Sequence, residues 1–189
     1  MKQQLIIAEN FYDNVDDVRQ FALSQPFDVK GNYPGARTKP FMNDTIKAAI
    51  SALVSASGAV TNWYEEGEYT GAFQLCTAQD RTWIHADSFN KWAGVCYLTP
   101  DAPVSGGTSL YRHKATGHRE NVYGDYYESY YGDYESYDYT KWDEVDRIGN
   151  IYNRIILYRG NLFHASVDYF GSTFEDARLF QTFFFDTEY

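Results

Sequence analysis

His85 and Asp87, separated by one residue, carry the strongest chemical signal in the sequence. In an extended chain, residues two apart point to the same face, so this imidazole and this carboxylate are expected to project together. Such a pair is half of an octahedral metal site. A second histidine would complete a 2-His-1-carboxylate set, which suits Fe(II) and leaves coordination positions open. By itself a His-x-Asp pair is common, and a hydrogen-bonded strand histidine is the ordinary interpretation of His85.

The chain has three further histidines that could complete the site. His164 follows an apolar run and a turn, so it is predicted at the start of a strand, where a barrel mouth would receive a ligand. His113 and His118 lie in a polar stretch and are predicted to be solvated loop residues. The pattern therefore favours His85, Asp87 and His164 as metal ligands and catalytic residues.

Arg178 is the candidate for binding an anion. On a strand it shares one face with Phe180, Thr182 and Phe184. A guanidinium with apolar neighbours needs a partner, because an isolated buried charge is costly. Two partners stay open: a carboxylate of this chain in a salt bridge, or the carboxylate of a small molecule gripped by the planar fork.

The elements around these residues predict a β-sandwich or barrel with helices on one side. Helices are expected over 15–22, after Asn14, and over 45–57, after Asn43 or Asp44 and before Gly58. The Pro- and Gly-containing stretch 32–40 is predicted as loop. Strands are predicted at 5–8, 61–64, 71–77, 82–87, 93–98, 108–112, 154–158 and 178–185.

Composition limits the partners and the compartment. The net charge of −10 argues against nucleic acid, whose phosphates attract Lys and Arg, and against anionic membranes. Cys76 and Cys96 sit in apolar runs, which favours free thiols and a reducing cytoplasm over a disulfide framework. No run has the length of a membrane span, and the N-terminal apolar patch is too short for a signal peptide.

The length of 189 residues fits one domain, and 19% aromatic residues favour β structure. We expect a mainly helical support region over 1–60 and a core over 61–189. The range 120–146, called here the tyrosine-rich segment, holds eight tyrosines and nine carboxylates with one lysine. It is interpreted either as a partly ordered insertion between two strands or as a lid or substrate-facing loop.

In this order the residues resemble the Fe(II)/2-oxoglutarate-dependent oxygenase superfamily. The family order is His-x-Asp, then a distal His, then Arg or Lys on the last barrel strand. Here the order is His85, Asp87, His164 and Arg178, with Arg178 fourteen residues after His164.

The region between the ligands resembles the prolyl-hydroxylase-like branch of that superfamily. Tyr97 lies at the strand end that follows the first ligands in this branch, and Thr99 replaces its usual Asn. Gly106 and Gly107 match its Gly-Gly-containing strand. The segment 32–37, which ends in Arg37, resembles one in some small members and indicates no substrate.

The resemblance implies a double-stranded β-helix, the jelly roll of cupin-like barrels, supported by the N-terminal helices. It implies Fe(II) on His85, Asp87 and His164. It also implies 2-oxoglutarate as co-substrate, with Arg178 on its distal carboxylate and Tyr97 assisting. The implied reaction uses O₂ to hydroxylate a C–H bond of a protein residue or small molecule, with release of succinate and CO₂. Ascorbate is an optional reductant.

Two other functions remain open at this point. One is a cupin-type metalloenzyme that does not use 2-oxoglutarate, although such sites usually contain more histidines and this chain has four. The other is a non-catalytic jelly-roll binding module, whose tyrosines would resemble those of adaptable recognition surfaces. In such a module the three candidate ligands would be scattered.

Overall fold

The computed structural model describes residues 3–65, 67, 69–124 and 135–189. This part of the chain forms two α-helices, α1 (Val15–Leu23) and α2 (Asp44–Leu53). Its strands are β1 (Leu5–Ala8), β2 (Ala36–Pro40), β3 (Val60–Trp63), β4 (Ala72–Cys76), β5 (Trp92–Tyr97), β6 (Thr108–His113), β7 (Trp142–Ile148), β8 (Ile155–Arg159), β9 (His164–Ser166) and β10 (Arg178–Thr187). No helix among the described residues is long and apolar enough to cross a membrane.

The strands form two sheets that face each other. The larger sheet has the order β1-β8-β5-β10-β4-β2, and β3 pairs with the far end of β10. The smaller sheet has the order β7-β6-β9. All pairings between named strands are antiparallel. Two such sheets in contact form the predicted jelly roll.

The two helices cover the outer face of the larger sheet. Ile46 and Ile50 of α2 pack in one buried cluster with Phe73 of β4 and with Phe183 and Phe185 of β10. The α2 N-terminus is capped as predicted, because the Asn43 side chain accepts a hydrogen bond from the Ile46 amide. By contrast Asn14 makes no side-chain cap bond to α1.

A second cluster fills the space between the sheets. It joins Val95 and Tyr97 of β5 and Phe180 of β10 to Leu110 and Ile148 of the smaller sheet. Strand β10 thus alternates: its odd-numbered apolar residues face the helices, and its even-numbered residues face the interior of the barrel. The central strand therefore carries side chains to both cores.

Two local predictions were wrong. Residues 36–40 form a strand rather than a loop: β2 pairs irregularly with β4 at the sheet edge, where a proline can be accommodated. Residues 82–87 form no regular strand, apart from a single bridge at His85. The amides of Ile84, His85 and Asp87 donate to three separate segments, at Ser136, His164 and Gly160, so no continuous ladder can form.

The tyrosine-rich segment connects β6 and β7, and its final residues belong to β7, a strand that the sequence analysis did not predict. Residues 125–134, which hold most of its repeated tyrosines, lie outside the described residues. The prediction of a solvated His113 was also wrong. His113 ends β6, is 2% exposed, and its Nε2 lies 2.8 Å from Glu135 Oε2.

The buried aromatic layer under the helices should dominate the stability of the fold. We expect Phe183→Ala to lower the free energy of unfolding by about 3–5 kcal/mol, because it leaves a cavity in the core. Phe174, which is 39% exposed, provides the matched control, and Phe174→Ala should cost less than about 1 kcal/mol. Urea denaturation of both variants measures the difference; equal losses would contradict this account of the core.

Candidate metal centre

The backbones of His85 and His164 face each other in an isolated antiparallel bridge. The His85 amide donates to the His164 carbonyl at 3.0 Å, and the His164 amide donates to the His85 carbonyl at 2.8 Å. Side chains of directly opposed residues leave the same face of such a pair. The two imidazole rings consequently lie with their centroids 4.3 Å apart.

Each imidazole is oriented by a backbone carbonyl two residues earlier. His85 Nδ1 lies 3.1 Å from the Trp83 carbonyl oxygen, and His164 Nδ1 lies 2.8 Å from the Leu162 carbonyl oxygen. A carbonyl can only accept, so in both rings Nδ1 carries the proton and Nε2 carries the lone pair. Metal-ligating histidines are commonly fixed in this way by the nitrogen that does not bind the metal.

Asp87 brings its carboxylate to the same place. One oxygen, Oδ1, lies 4.0 Å from His85 Nε2. The other, Oδ2, accepts a hydrogen bond of 3.0 Å from the Asn90 side-chain amide, which also donates to the Trp92 carbonyl. Taken together, His85, Asp87 and His164 offer ligand atoms that all lie within 4.8 Å of one another. The structure thus brings the three sequence-predicted ligands together.

Burial keeps one of these ligands neutral. His164 is 4% exposed, and loss of hydration lowers its pKa to about 4, with the neighbouring His85 ring as the second cause. At neutral pH its Nε2 is therefore unprotonated and able to bind a metal. The His85 side chain is 35% exposed, so the cluster opens to solvent on that side.

The open side faces a cavity of about 540 Å³. All three clustered side chains line it, and so do residues from β5, β8 and β10 and from the stretch before β2. Eight aromatic residues contribute to its walls: Tyr33, Tyr69, Trp83, Phe89, Tyr158, Tyr169, Phe180 and Phe184. A volume within about 300–1,000 Å³ is typical of small-molecule sites.

Arg178 and Tyr97 lie together at the deep end of the barrel. Arg178 is fully buried and donates from Nε to the Gly106 carbonyl at 2.9 Å and from Nη2 to the Gly107 carbonyl at 3.2 Å. Its Nη1 is buried without a hydrogen-bond partner among the described residues. The guanidinium carbon lies 5.4 Å from the Tyr97 ring centroid. The salt bridge considered for Arg178 is not formed within the described part of the chain.

The cavity reaches the neighbours of Arg178 but not Arg178 itself. Phe180 and Tyr169 line the cavity, and their ring centroids lie 4.2 and 5.6 Å from the Arg178 guanidinium carbon. Tyr97 is fully buried, and burial raises the pKa of its hydroxyl. Its hydroxyl lies 2.9 Å from Thr108 Oγ1. This bond joins two buried hydroxyl groups.

Sequence reasoning missed two groups at the site. Asn90 holds Asp87 through a turn that no sequence pattern marks, although its spacing of three residues is compatible with a local side-chain bond. Arg37 lines the same cavity. The sequence analysis named Arg37 only as the last residue of the segment 32–37, because nothing in the sequence shows that β2 lies beside the metal ligands.

Two comparisons of the sequence with known proteins have different outcomes. A family model described as a family of unknown function, DUF6445, matches residues 1–169. No curated protein matches the chain.

Solved structures resemble the chain over nearly its whole length. HygX from Streptomyces hygroscopicus, with nickel and 2-oxoglutarate bound, has a TM-score of 0.63 at 12% identity, over 98% of this chain and 84% of that one. The same protein with hygromycin B also bound gives a TM-score of 0.60 at 12% identity and the same coverage. A prolyl-4-hydroxylase from Pseudomonas putida has a TM-score of 0.52 at 13% identity, over 100% and 95% of the two chains. At these identities the likeness establishes the fold: this chain has the jelly roll of the 2-oxoglutarate oxygenases.

The contact between Asn90 and Asp87 predicts a loss of metal affinity on substitution. We expect Asn90→Ala to weaken Ni(II) binding by about 10–100-fold, because the carboxylate loses the group that orients it. Asn121→Ala is the control, since Asn121 lines the cavity but donates to the Gly124 carbonyl. Calorimetric titration of both folded variants gives the comparison. An unchanged affinity in Asn90→Ala would show that the Asp87 backbone alone sets the carboxylate position.

Proposed function

The chain belongs to the DUF6445 family, and we propose that it is an Fe(II)- and 2-oxoglutarate-dependent oxygenase. One observation carries the proposal: His85, Asp87 and His164 converge beside a cavity, with both histidine Nε2 atoms free to bind. Two imidazoles and a carboxylate are the donor set of non-haem Fe(II) oxygenases. Solved structures of HygX with iron, and with nickel and 2-oxoglutarate, support the same assignment.

The three side chains would hold Fe(II) beside the cavity that they line. When bound there with 2-oxoglutarate and O₂, the metal supplies the oxidising chemistry that yields succinate, CO₂ and a hydroxylated C–H bond. The protein contributes orientation. The Trp83 and Leu162 carbonyls hold the imidazoles, and Asn90 holds the carboxylate.

The distal carboxylate of 2-oxoglutarate is assigned to Arg178. Its unpartnered Nη1 is a buried donor that lacks an acceptor, and a carboxylate would satisfy both the hydrogen bond and the charge. The Tyr97–Thr108 hydroxyl pair provides a further proton nearby. Phe180 and Tyr169 form the cavity wall in front of the guanidinium, so the distal end of the co-substrate would pass their rings.

The primary substrate is proposed to be a small molecule or a protein residue that presents a C–H bond to the cavity. The net charge of −10 makes a nucleic acid an unfavourable partner.

Turnover of the co-substrate tests the proposed function directly. With Fe(II) and O₂, the protein should convert 2-oxoglutarate to succinate, and Asp87→Ala should reduce this conversion at least about 100-fold, because a ligand is lost. His118→Ala is the control, since His118 lies outside the cluster. Succinate is quantified by mass spectrometry. Turnover that persists in Asp87→Ala would refute the role of Asp87, and the absence of succinate from the unaltered, metal-loaded protein would refute the assignment in favour of the cupin-type metalloenzyme.

Arg178 should affect the co-substrate rather than the metal. We expect Arg178→Ala to weaken 2-oxoglutarate binding to the Ni(II)-loaded protein by about 10–100-fold, which corresponds to the loss of a charged hydrogen bond. Ni(II) affinity should be unchanged. Arg178→Lys, which keeps the charge but loses the fork, should give an intermediate affinity. If 2-oxoglutarate binds Arg178→Ala as it binds the unaltered protein, Arg178 has no part in co-substrate binding.

A further inference from the structure

The cavity beside the metal centre contains a second arginine, Arg37, on the edge strand β2. Among the described residues that line the cavity, Arg37 is the only lysine or arginine. The cavity also contains His85, Asp87 and His164, so any molecule that reaches the metal centre passes within the same enclosure. The net charge of −10 repels anions at long range. Arg37 is therefore the group in the cavity wall that can attract an anionic ligand at short range.

The Arg37 side chain is buried and rigidly held. It is 5% exposed, and its guanidinium carbon lies 3.8 Å from the centroid of the Tyr33 ring. Its Nε and Nη2 both donate to Gln74 Oε1. The Gln74 amide nitrogen donates in turn to the Pro34 carbonyl at 2.7 Å, which fixes the oxygen towards Arg37. These contacts orient the guanidinium but bring no negative charge.

No ion pair among the described residues involves Arg37. Burial lowers the pKa of Arg37 to about 10, so it is still charged at neutral pH. The Asp87 carboxylate acts on Arg37 only from beyond ion-pair distance, so a ligand carboxylate could neutralise the buried charge directly. None of the described residues accepts a hydrogen bond from Nη1, so the Nη1/Nη2 edge remains available to two parallel acceptors.

Arg159 shows what distinguishes Arg37. Arg159 is also 5% exposed, and it stacks at 4.3 Å on the Trp92 ring. It donates from Nε to the Gln3 carbonyl at 3.1 Å. It does not line the cavity. Stacking and hydrogen bonds to neutral groups therefore accommodate a buried arginine in this protein. The distinguishing property of Arg37 is its uncommitted edge in the wall of the enclosure that holds the metal ligands.

We propose that Arg37 binds a carboxylate of the primary substrate, and that this substrate is a small-molecule carboxylic acid with an apolar or aromatic body. The assignment rests on the proposed oxygenase function. The fork of an arginine matches the two oxygens of a carboxylate in a bidentate pair. Tyr69, Trp83, Phe89 and Phe184 line the cavity and offer aromatic surface to the body of such a molecule. With its carboxylate anchored on β2, a C–H bond of the body is presented to the metal centre.

The test uses matched pairs of ligands on the full chain loaded with Ni(II). A panel of aryl and alkyl carboxylic acids, including phenylacetate, is titrated by calorimetry beside the corresponding neutral amides, with and without 2-oxoglutarate. At least one acid should bind about ten-fold or more tightly than its amide, and Arg37→Met should abolish that preference. The proposal is overturned if no acid is preferred over its amide, or if the preference survives in Arg37→Met.

Two controls separate this proposal from a folding defect and from the proposed function. Arg159→Met removes an equally buried and stacked arginine outside the cavity, so it should leave the acid preference intact. Arg37→Met should retain its thermal unfolding transition, its Ni(II) affinity and its affinity for 2-oxoglutarate. If 2-oxoglutarate binding depends on Arg37 and not on Arg178, Arg37 holds the co-substrate and the present assignment is wrong. If 2-oxoglutarate does not bind the unaltered protein at all, the oxygenase function fails, and the acid panel without co-substrate still measures the role of Arg37.

Discussion

Two hydrogen bonds between the backbones of His85 and His164 determine the geometry of the candidate metal centre. This one bridge joins the irregular chain before β5 to the short strand β9, and it sets two imidazoles side by side. The Nδ1 contacts to local carbonyls then select the tautomer, and Asp87, two residues after His85, adds the carboxylate. Main-chain pairing thus sets the positions of the two imidazoles, and the carboxylate of Asp87 depends in addition on the Asn90 side chain.

Two arginines, Arg178 and Arg37, lie at different depths in the barrel around this bridge. Arg178 lies buried at the start of β10, bound to the Gly106 and Gly107 carbonyls. Arg37 lies in the cavity wall on the edge strand, bound to the neutral Gln74. Within the described chain neither has a carboxylate partner. In the roles proposed above, Arg178 would hold the carboxylate of the co-substrate and Arg37 that of the substrate.

Much of the site could be predicted from the sequence because the relevant signals are local. Alternation predicted that His85 and Asp87 lie together, which they do although the strand assumed at 82–87 is absent, and the apolar run before His164 placed it at a strand start. What failed depends on long-range pairing. β7 was not predicted because its many acidic residues do not give the pattern of a strand. The strand forms because this segment pairs with β6. His113 was misplaced because its partners, Glu135 and the buried Trp142, come from the far end of the tyrosine-rich segment. The importance of Arg37 appears only once β2 is seen to pair with β4.

The position of β10 has a consequence for how the molecule is assembled. It lies between β5 and β4, strands far earlier in the sequence, and it also pairs with β3. Until β10 is synthesised, these earlier strands lack their central partner, and a topology of this kind folds slowly with exposed strand edges. The three candidate ligands all precede β10 in the sequence. A nascent chain therefore carries its whole ligand set before the barrel can close, and Arg178 arrives with the strand that closes it.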